Sequence, residues 1–375
     1  TTGKEQDALA EYLLANHNPD GGTAPFRESE TSPVQDQRIQ NLAVTNDTIL
    51  TPSSIDSFKI SVAGTFETGV FDESAAEIVA HDPQTQRVFF TNSDANHIGV
   101  LDIADPTSPT ELSPITFPSG TGGVNSVAVS GGIVAVAVAA PTHTDPGGVL
   151  FFDVDGNLLG SVTVGALPDS LTFSPDGMKV VVAGEGEPDD LEDPTPTIDP
   201  LGTISVIDLT RLRQDGFITS FDVTTLDFTA FDGQEDTLRS QGVRIFPGRS
   251  ASRDLEPEYA SISPDGTRAY VTLQEANSVA VVDLVQPKIL EIQPLGVKDH
   301  SLPGNGIDPS DRDDAVAIAP HPVFGLYMPD AITSFEVGGQ TFYATANEGD
   351  SRDFDEDRIK DIVLDPTVFP NAADL

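Results

Sequence analysis

The chain contains no cysteine, so it can form neither a disulfide nor a thiolate metal site. Bases are scarce. Lys and Arg number 19 against 60 Asp and Glu, a formal charge of −41. That balance argues against nucleic-acid binding, which requires basic surface. Only 6 of the bases are Lys, and so acidic a surface suits high-salt, halophilic surroundings, where screening tames self-repulsion. Multivalent cations serve the same end. No stretch approaches the roughly 20 apolar residues of a membrane-spanning helix, although 38% of the chain is hydrophobic. No GxSxG elbow or Walker loop occurs. The histidines at 17, 81, 97, 143, 300 and 321 form no HxH or HExxH pair, which leaves zinc hydrolase chemistry without support. The absence of cysteine is compatible with export into an oxidising medium, and a start at TTGKEQ without Met or a signal peptide reads as a processed mature end.

What is present is repetition. A short apolar strand, a turn, a second strand, a polar loop and a third strand ending in Asp recur along the chain. Tyr259–Leu284 and Ser170–Leu209 are the clearest copies, Ile78–Ile103 is a third and Ser126–Val154 a looser fourth. A period of roughly 40–50 residues built of antiparallel strands predicts β-propeller blades. The Ser-Pro-Asp-Gly turns at 174–177 and 263–266 are hairpin connections in which Gly supplies positive φ.

The expected fold is therefore all-β, a propeller of four-stranded antiparallel blades. Residues 1–57 read as an N-terminal arm with a short amphipathic helix at Glu5–Asn16, and 58–375 as the propeller. Asn46-Asp47-Thr48 is a glycosylation sequon. Phe58–Phe66 reads as an outer strand from a blade completed elsewhere. Blade two runs from Val124 to Val164, and blade three opens at Pro168 with its fourth strand near Phe221–Phe228. An insertion, about Thr229–Asp254, reads as a helix (GQEDTLRSQ) and a strand (GVRIF). Blade four is Glu256–Leu295, and blade five starts near Pro329 after the loop KDHSLPGNGIDPSDRDD. Propellers close with about four to eight blades. Some four and a half are countable, so the C-terminus reads as falling inside a larger, seven-bladed propeller.

The phase of the acids in the repeat is the functional signal. Glu77, Asp169, Glu258 and Asp330 stand just before first strands, and Glu185, Glu275 and Glu348 just after second strands. Equal phase puts them at one mouth of the ring, and like charges held together call for a cation. Oxygen ligands without Cys favour Ca²⁺, one ion or more, with another divalent metal as the alternative. Glu185-Gly-Glu187 and Glu348-Gly-Asp350 share an acid-Gly-acid core at the same blade position, which adds Glu187 and Asp350 to the set. Asp308-Pro-Ser-Asp311-Arg-Asp313-Asp314 resembles part of a calcium loop. It lacks the Gly and distal Glu of an EF-hand, and reads as a solvated acidic loop. His300, beside Gly304-Asn305-Gly306, is either held over the channel or an ordinary surface histidine. Arg312, Arg352 and Arg358 could bind a phosphate or simply pair with nearby Asp. His300 and Arg352 are the candidate catalytic residues.

The strings GVNSVAVSGGIVAVAV, LPDSLTFSPDG, DLEPEYASISPDG, VKDHSLPGNGIDPSDRD, PDAITSF and ATANEGDSRDF resemble the bacterial choice-of-anchor I domain over about 58–375. That domain is similar to mesenchyme-specific cell-surface glycoproteins and to proteins labelled alkaline-phosphatase-like. The resemblance implies a secreted or surface-attached propeller without a transmembrane segment. Propeller phosphatases of the calcium type imply calcium in the channel. The cysteine ligand of the iron-calcium phosphatases has no counterpart here. Two functions follow: a calcium-binding extracellular attachment or matrix module, and a calcium-dependent phosphoesterase acting on phosphate esters. In the second, Glu77, Asp169, Glu185, Glu258 and Glu348 would hold the metal.

Overall fold

β-branched residues in short runs, punctuated by Gly, Pro and Asp, build antiparallel sheets almost throughout. The computed structural model describes residues 60–352 other than 72, 194, 218, 219 and 311–313, together with 362, 363, 365 and 367. The expected arm at 1–57, its helix, the Asn46 sequon, Arg312 and Arg358 lie outside the described residues. Residues 62–356 form one compact unit.

Four blades are complete, each four-stranded, antiparallel and in chain order. The first holds β1 (Val79–Asp82), β2 (Arg87–Asn92), β3 (His97–Asp102) and β4 (Thr110–Glu111). The second holds β5 (Val124–Ser130), β6 (Ile133–Val138), β7 (Pro146–Asp153) and β8 (Leu158–Ala166). The third holds β9 (Pro168–Phe173), β10 (Lys179–Gly184), β11 (Thr203–Asp208) and β12 (Asp222–Asp227). The fourth holds β13 (Pro257–Ile262), β14 (Arg268–Leu273), β15 (Ser278–Asp283) and β16 (Lys288–Pro294). After a two-stranded sheet of β17 (Val297–Asp299) and β18 (Phe324–Leu326), a fifth unit begins with β19 (Pro329–Val337) and β20 (Gln340–Asn347).

Turn chemistry explains the repeat. Ser174 Oγ donates to Asp176 Oδ1 at 2.6 Å and Ser263 Oγ to Asp265 Oδ1 at 2.6 Å. In each turn the Gly, 177 or 266, takes positive φ. The Asp that ends each third strand is an Asx cap: Asp102, Asp208 and Asp283 accept the backbone N–H two residues on. Blades pack face to face, so their middle strands are apolar on both sides. Every residue of β6, IVAVAV, is buried. One core joins blades one and two through Phe89, Val136 and Phe152, the next joins two and three through Phe151, Val182 and Leu209, and a third joins three and four through Val181, Phe228 and Val271. Burying each such side chain contributes about 1.5–3 kcal/mol.

The first strands line up side by side, and serines tie them. Leu171 N donates to Ser126 Oγ, Ala260 N to Ser170 Oγ and Ser334 N to Ser261 Oγ, at 3.3, 3.1 and 2.8 Å. This is the arrangement that gathers the loops before the first strands at one mouth.

Three local expectations change. Residues 60–66 form no strand; β4 is the outer strand of blade one. At Gly64 the chain passes so close to Pro106 that a Cβ would meet its carbonyl oxygen at 2.2 Å, a crossing rather than a pairing. In the insertion the helix forms as α2 (Glu235–Gln241), after α1 (Thr210–Asp215) and the 3₁₀ turn Thr229–Phe231, and before α3 (Ala251–Asp254). The expected strand over GVRIF does not form. Val243 and Ile245 are both buried, and Arg244 N reaches Ala276 O, so the segment is pinned by packing. The loop after blade four, expected to be irregular, contributes β17 and β18.

Candidate metal centre

Four of the five first strands enter their sheets through a break in register. Pairing skips Asn125 in β5, Asp169 in β9, Glu258 and Tyr259 in β13, and Asp330 and Ala331 in β19. A bulge re-aims the residue it carries. Asn125, Asp169, Glu258, Tyr259 and Asp330, with Glu77 just before β1, line one cavity of ≈ 320 Å³ together with Ser170, Gln274 and Glu348. Blade two supplies Asn125 where its neighbours supply an acid.

Backbone strain helps to aim the carboxylates. Leu167 and Met328 take φ of 43° and 39°, each directly before a proline that disfavours helical backbone. Such conformations cost about 1–3 kcal/mol and need support from their surroundings. The support is similar in the two blades but shifted by one residue. The Leu167 carbonyl accepts Glu185 N at 3.0 Å, and the Met328 carbonyl accepts Gly349 N at 3.1 Å. The strained residue thus ties the acid before the first strand to the acidic loop after the second.

Carboxylate oxygens of Asp169, Glu185 and Glu258 lie within 4.8 Å of one another. Burial pushes Asp169 up to about 7, and the charges of Asp330, Glu187 and Glu77 add to it. Glu185 is held well above the usual carboxylate range by burial, then by Glu258, Asp169 and Glu187. Glu258 is raised well above that range by burial, then by Glu275 and Asp169. Glu187 and Glu275 are raised too, chiefly by burial, and Asp330 by burial and Glu348. The donors are all oxygen, and Glu275 Oε2 is buried without a hydrogen-bond partner. These residues fit a hard divalent cation such as Ca²⁺.

Of the nine acids singled out by phase, Asp169, Glu185 and Glu258 form the inner group. Glu77, Asp330 and Glu348 stand around the same cavity, and Gln274 Nε2 donates to Glu348 at 3.1 Å. Glu187, Glu275 and Asp350 approach through their charges: Glu275 acts on Glu187 and on Glu258, and Asp350 acts on Glu275. His300 stands elsewhere. Its Nδ1 lies 2.6 Å from Asn305 O and its Nε2 packs against Gly325, so its described contacts stay within β17, β18 and their loop. Arg352 is buried and ion-paired to Glu256 at 2.9 Å and Asp254 at 3.6 Å. Asp308 closes its own loop, accepting Ser310 N and Ala317 N.

Sequence reasoning did not find Asn125, Tyr259 and Gln274 in the cavity, nor the charges behind it, Glu256, Asp254, Arg249 and Asp199. Asn125 was findable, because it occupies in GVNSVAV the place of Asp169 in LPDSLTF.

The model of the choice-of-anchor I domain matches residues 77–375. The chain belongs to the choice-of-anchor I family. No curated protein matches it. Among solved structures it is similar to the β-propeller domain of Myceliophteria thermophila Cps50 (Swd1), at 7% identity and a TM-score of 0.39. The alignment covers 56% of this chain and 57% of that one. A functionally unknown protein of Desulfotomaculum acetoxidans aligns at 16% identity and a TM-score of 0.39, over 58% of this chain and 57% of that one. A protein from Lactobacillus plantarum aligns at 16% identity and a TM-score of 0.41, over 68% and 71%. The chain thus spans 57% of the length of the first two.

Within this family member, Gly186 is the hinge of the acid-Gly-acid core. Its φ is +72°, and a Cβ would sit 2.5 Å from Leu201 O. Gly349, at the same place in blade five, has φ +86° but open space around it. Gly186→Ala is expected to lose about 1–3 kcal/mol and to displace Glu185 and Glu187, whereas Gly349→Ala costs less. Urea denaturation midpoints of the two variants check the contrast.

Proposed function

We propose that this choice-of-anchor I propeller is an extracellular or cell-surface module that binds calcium in the carboxylate-lined mouth of its blades and serves attachment or matrix interaction. The family association supports the location. The observation that carries the calcium reading is the approach of Asp169, Glu185 and Glu258 to within 4.8 Å, ringed by further acids. Three buried carboxylates at that spacing repel unless protons or a cation neutralise them. At neutral pH and millimolar calcium, as in extracellular fluids, the cation is the better neutraliser. Oxygen donors from several blades would hold it and stiffen the joint between blades three and four.

The chain has no Trp and 5 Tyr, and Tyr259 lines the cavity. Tb³⁺, a calcium mimic, is therefore expected to show tyrosine-sensitised emission that Ca²⁺ competes away and that Tyr259→Phe dims without loss of calcium affinity. Calcium at about 100 times its Kd adds about 2.7 kcal/mol of stability, seen as a rise in melting temperature that chelator reverses. No calcium-dependent rise and no competed emission would overturn the reading. Calcium-dependent hydrolysis of p-nitrophenyl phosphate, lost in Glu185→Ala, would instead make the module a phosphoesterase.

A further inference from the structure

Five acids of the mouth belong to three separate backbone segments. Glu185 and Glu187 begin the long loop that runs to Asp199, Glu258 follows α3, and Glu348 and Asp350 precede Arg352. Behind the mouth these segments are joined by a continuous chain of ion pairs. Arg249 Nη2 meets Asp199 Oδ2 at 2.8 Å, and Arg249 Nε meets Asp254 Oδ1 at 3.1 Å. Arg352 Nη2 meets the same Asp254 oxygen at 3.6 Å and Glu256 Oε2 at 2.9 Å, and it donates to the Asp254 carbonyl at 2.6 Å. No side chain in this chain is more than 13% exposed, and that of Asp254 is 0% exposed. Its other oxygen accepts Phe246 N at 2.6 Å.

Two features suggest that this network serves the site. Three members stand close along the chain to a mouth carboxylate. Glu256 lies two residues before Glu258, Arg352 two after Asp350, and Asp199 closes the loop opened by Glu185. The guanidiniums also act on neighbouring acids: both on Glu256, and Arg352 on Glu275. A planar fork that bridges two carboxylates fixes their separation in a way that a point charge does not.

We infer that Arg249 and Arg352 are positioning residues that clamp the three segments, so that the carboxylates converge before the cation arrives. This rests on the calcium reading of the mouth. Neither arginine touches the ion; each acts through Asp254 and its own acid partner. The insertion between blades three and four, which carries Arg249 and Asp254, is on this account part of the site.

Arg249→Lys and Arg352→Lys keep the charge and lose the fork. Both are expected to bind Ca²⁺ at least tenfold more weakly by calorimetry. Tb³⁺ lifetimes in H₂O and D₂O should report at least one more coordinated water than in the wild type, because a displaced carboxylate leaves its place to solvent. Should Arg352→Lys not fold, Asp199→Asn breaks the other end of the chain and is expected to show the same hydration change. Lowered melting temperatures with unchanged calcium affinity and unchanged Tb³⁺ hydration would overturn the clamp while leaving the calcium site intact. A wild-type protein that binds neither Ca²⁺ nor Tb³⁺ would overturn both.

Discussion

Asp254→Asn is expected to destabilise the propeller by about 3–5 kcal/mol, the usual cost of stranding a buried charge. The substitution keeps the shape of the side chain and removes a buried carboxylate that both Arg249 and Arg352 approach. Two guanidiniums would then share a site closed to water without the carboxylate that stands between them. An amide oxygen can still accept Phe246 N, so the loss falls on the charge. The arginine-aspartate pair of α2 provides the control. Arg239 Nη2 meets Asp236 Oδ1 at 2.6 Å, a shorter contact than either at Asp254, but the aspartate is fully exposed. Exposed pairs contribute little because water solvates both partners equally well when apart. Asp236→Asn should therefore leave the denaturation midpoint where it is. The comparison tests burial against distance, and burial is expected to decide.

The sequence announced the blades because each level of the repeat has a local cause. Alternating β-branched runs and Asp caps act within a few residues of one another in all four complete blades, and Ser-Pro-Asp-Gly turns do so in the third and fourth. It also announced the phase of the acids, since equal positions in successive blades lie at the same end of their sheets. What it did not announce depends on contacts distant along the chain. The buried network joins Asp199, Arg249, Asp254, Glu256 and Arg352 across three loops, and nothing in the local sequence distinguishes these charges from the many solvated ones. The failed strand at GVRIF has the same origin. Its apolar residues look like a strand pattern, yet they are buried by a core built from blades three and four rather than by pairing. The bulges lie between these extremes. A proline followed by an acid at positions 168, 257 and 329 marks them in the sequence, but only the pairing register shows that the acid is turned into the cavity.

Charge removal inside the mouth should stabilise the protein and weaken its ligand at the same time. Glu185→Gln removes a carboxyl that burial, then Glu258, Asp169 and Glu187, already hold well above its usual range, so the metal-free protein is expected to melt higher than the wild type at neutral pH. Calcium, held by the number and charge of its oxygens, should bind at least tenfold more weakly, a loss of about 1.4 kcal/mol or more. Glu77→Gln, at an exposed position on the cavity rim, should do less of both. The pH dependence has a definite sign. Asp169 titrates at about 7 in the folded chain against 3.8 unfolded, so between those values the native state binds more protons and metal-free stability falls as pH rises. Its contribution is fully present below 3.8 and lost on passing through about 7. Calcium must displace those protons, so its affinity rises over the same range and the melting curve with saturating calcium flattens or reverses. Melting temperatures from pH 4 to 8, with calcium and with chelator, test this. Parallel curves in the two conditions would mean that cation and protons do not compete for Asp169, Glu185 and Glu258.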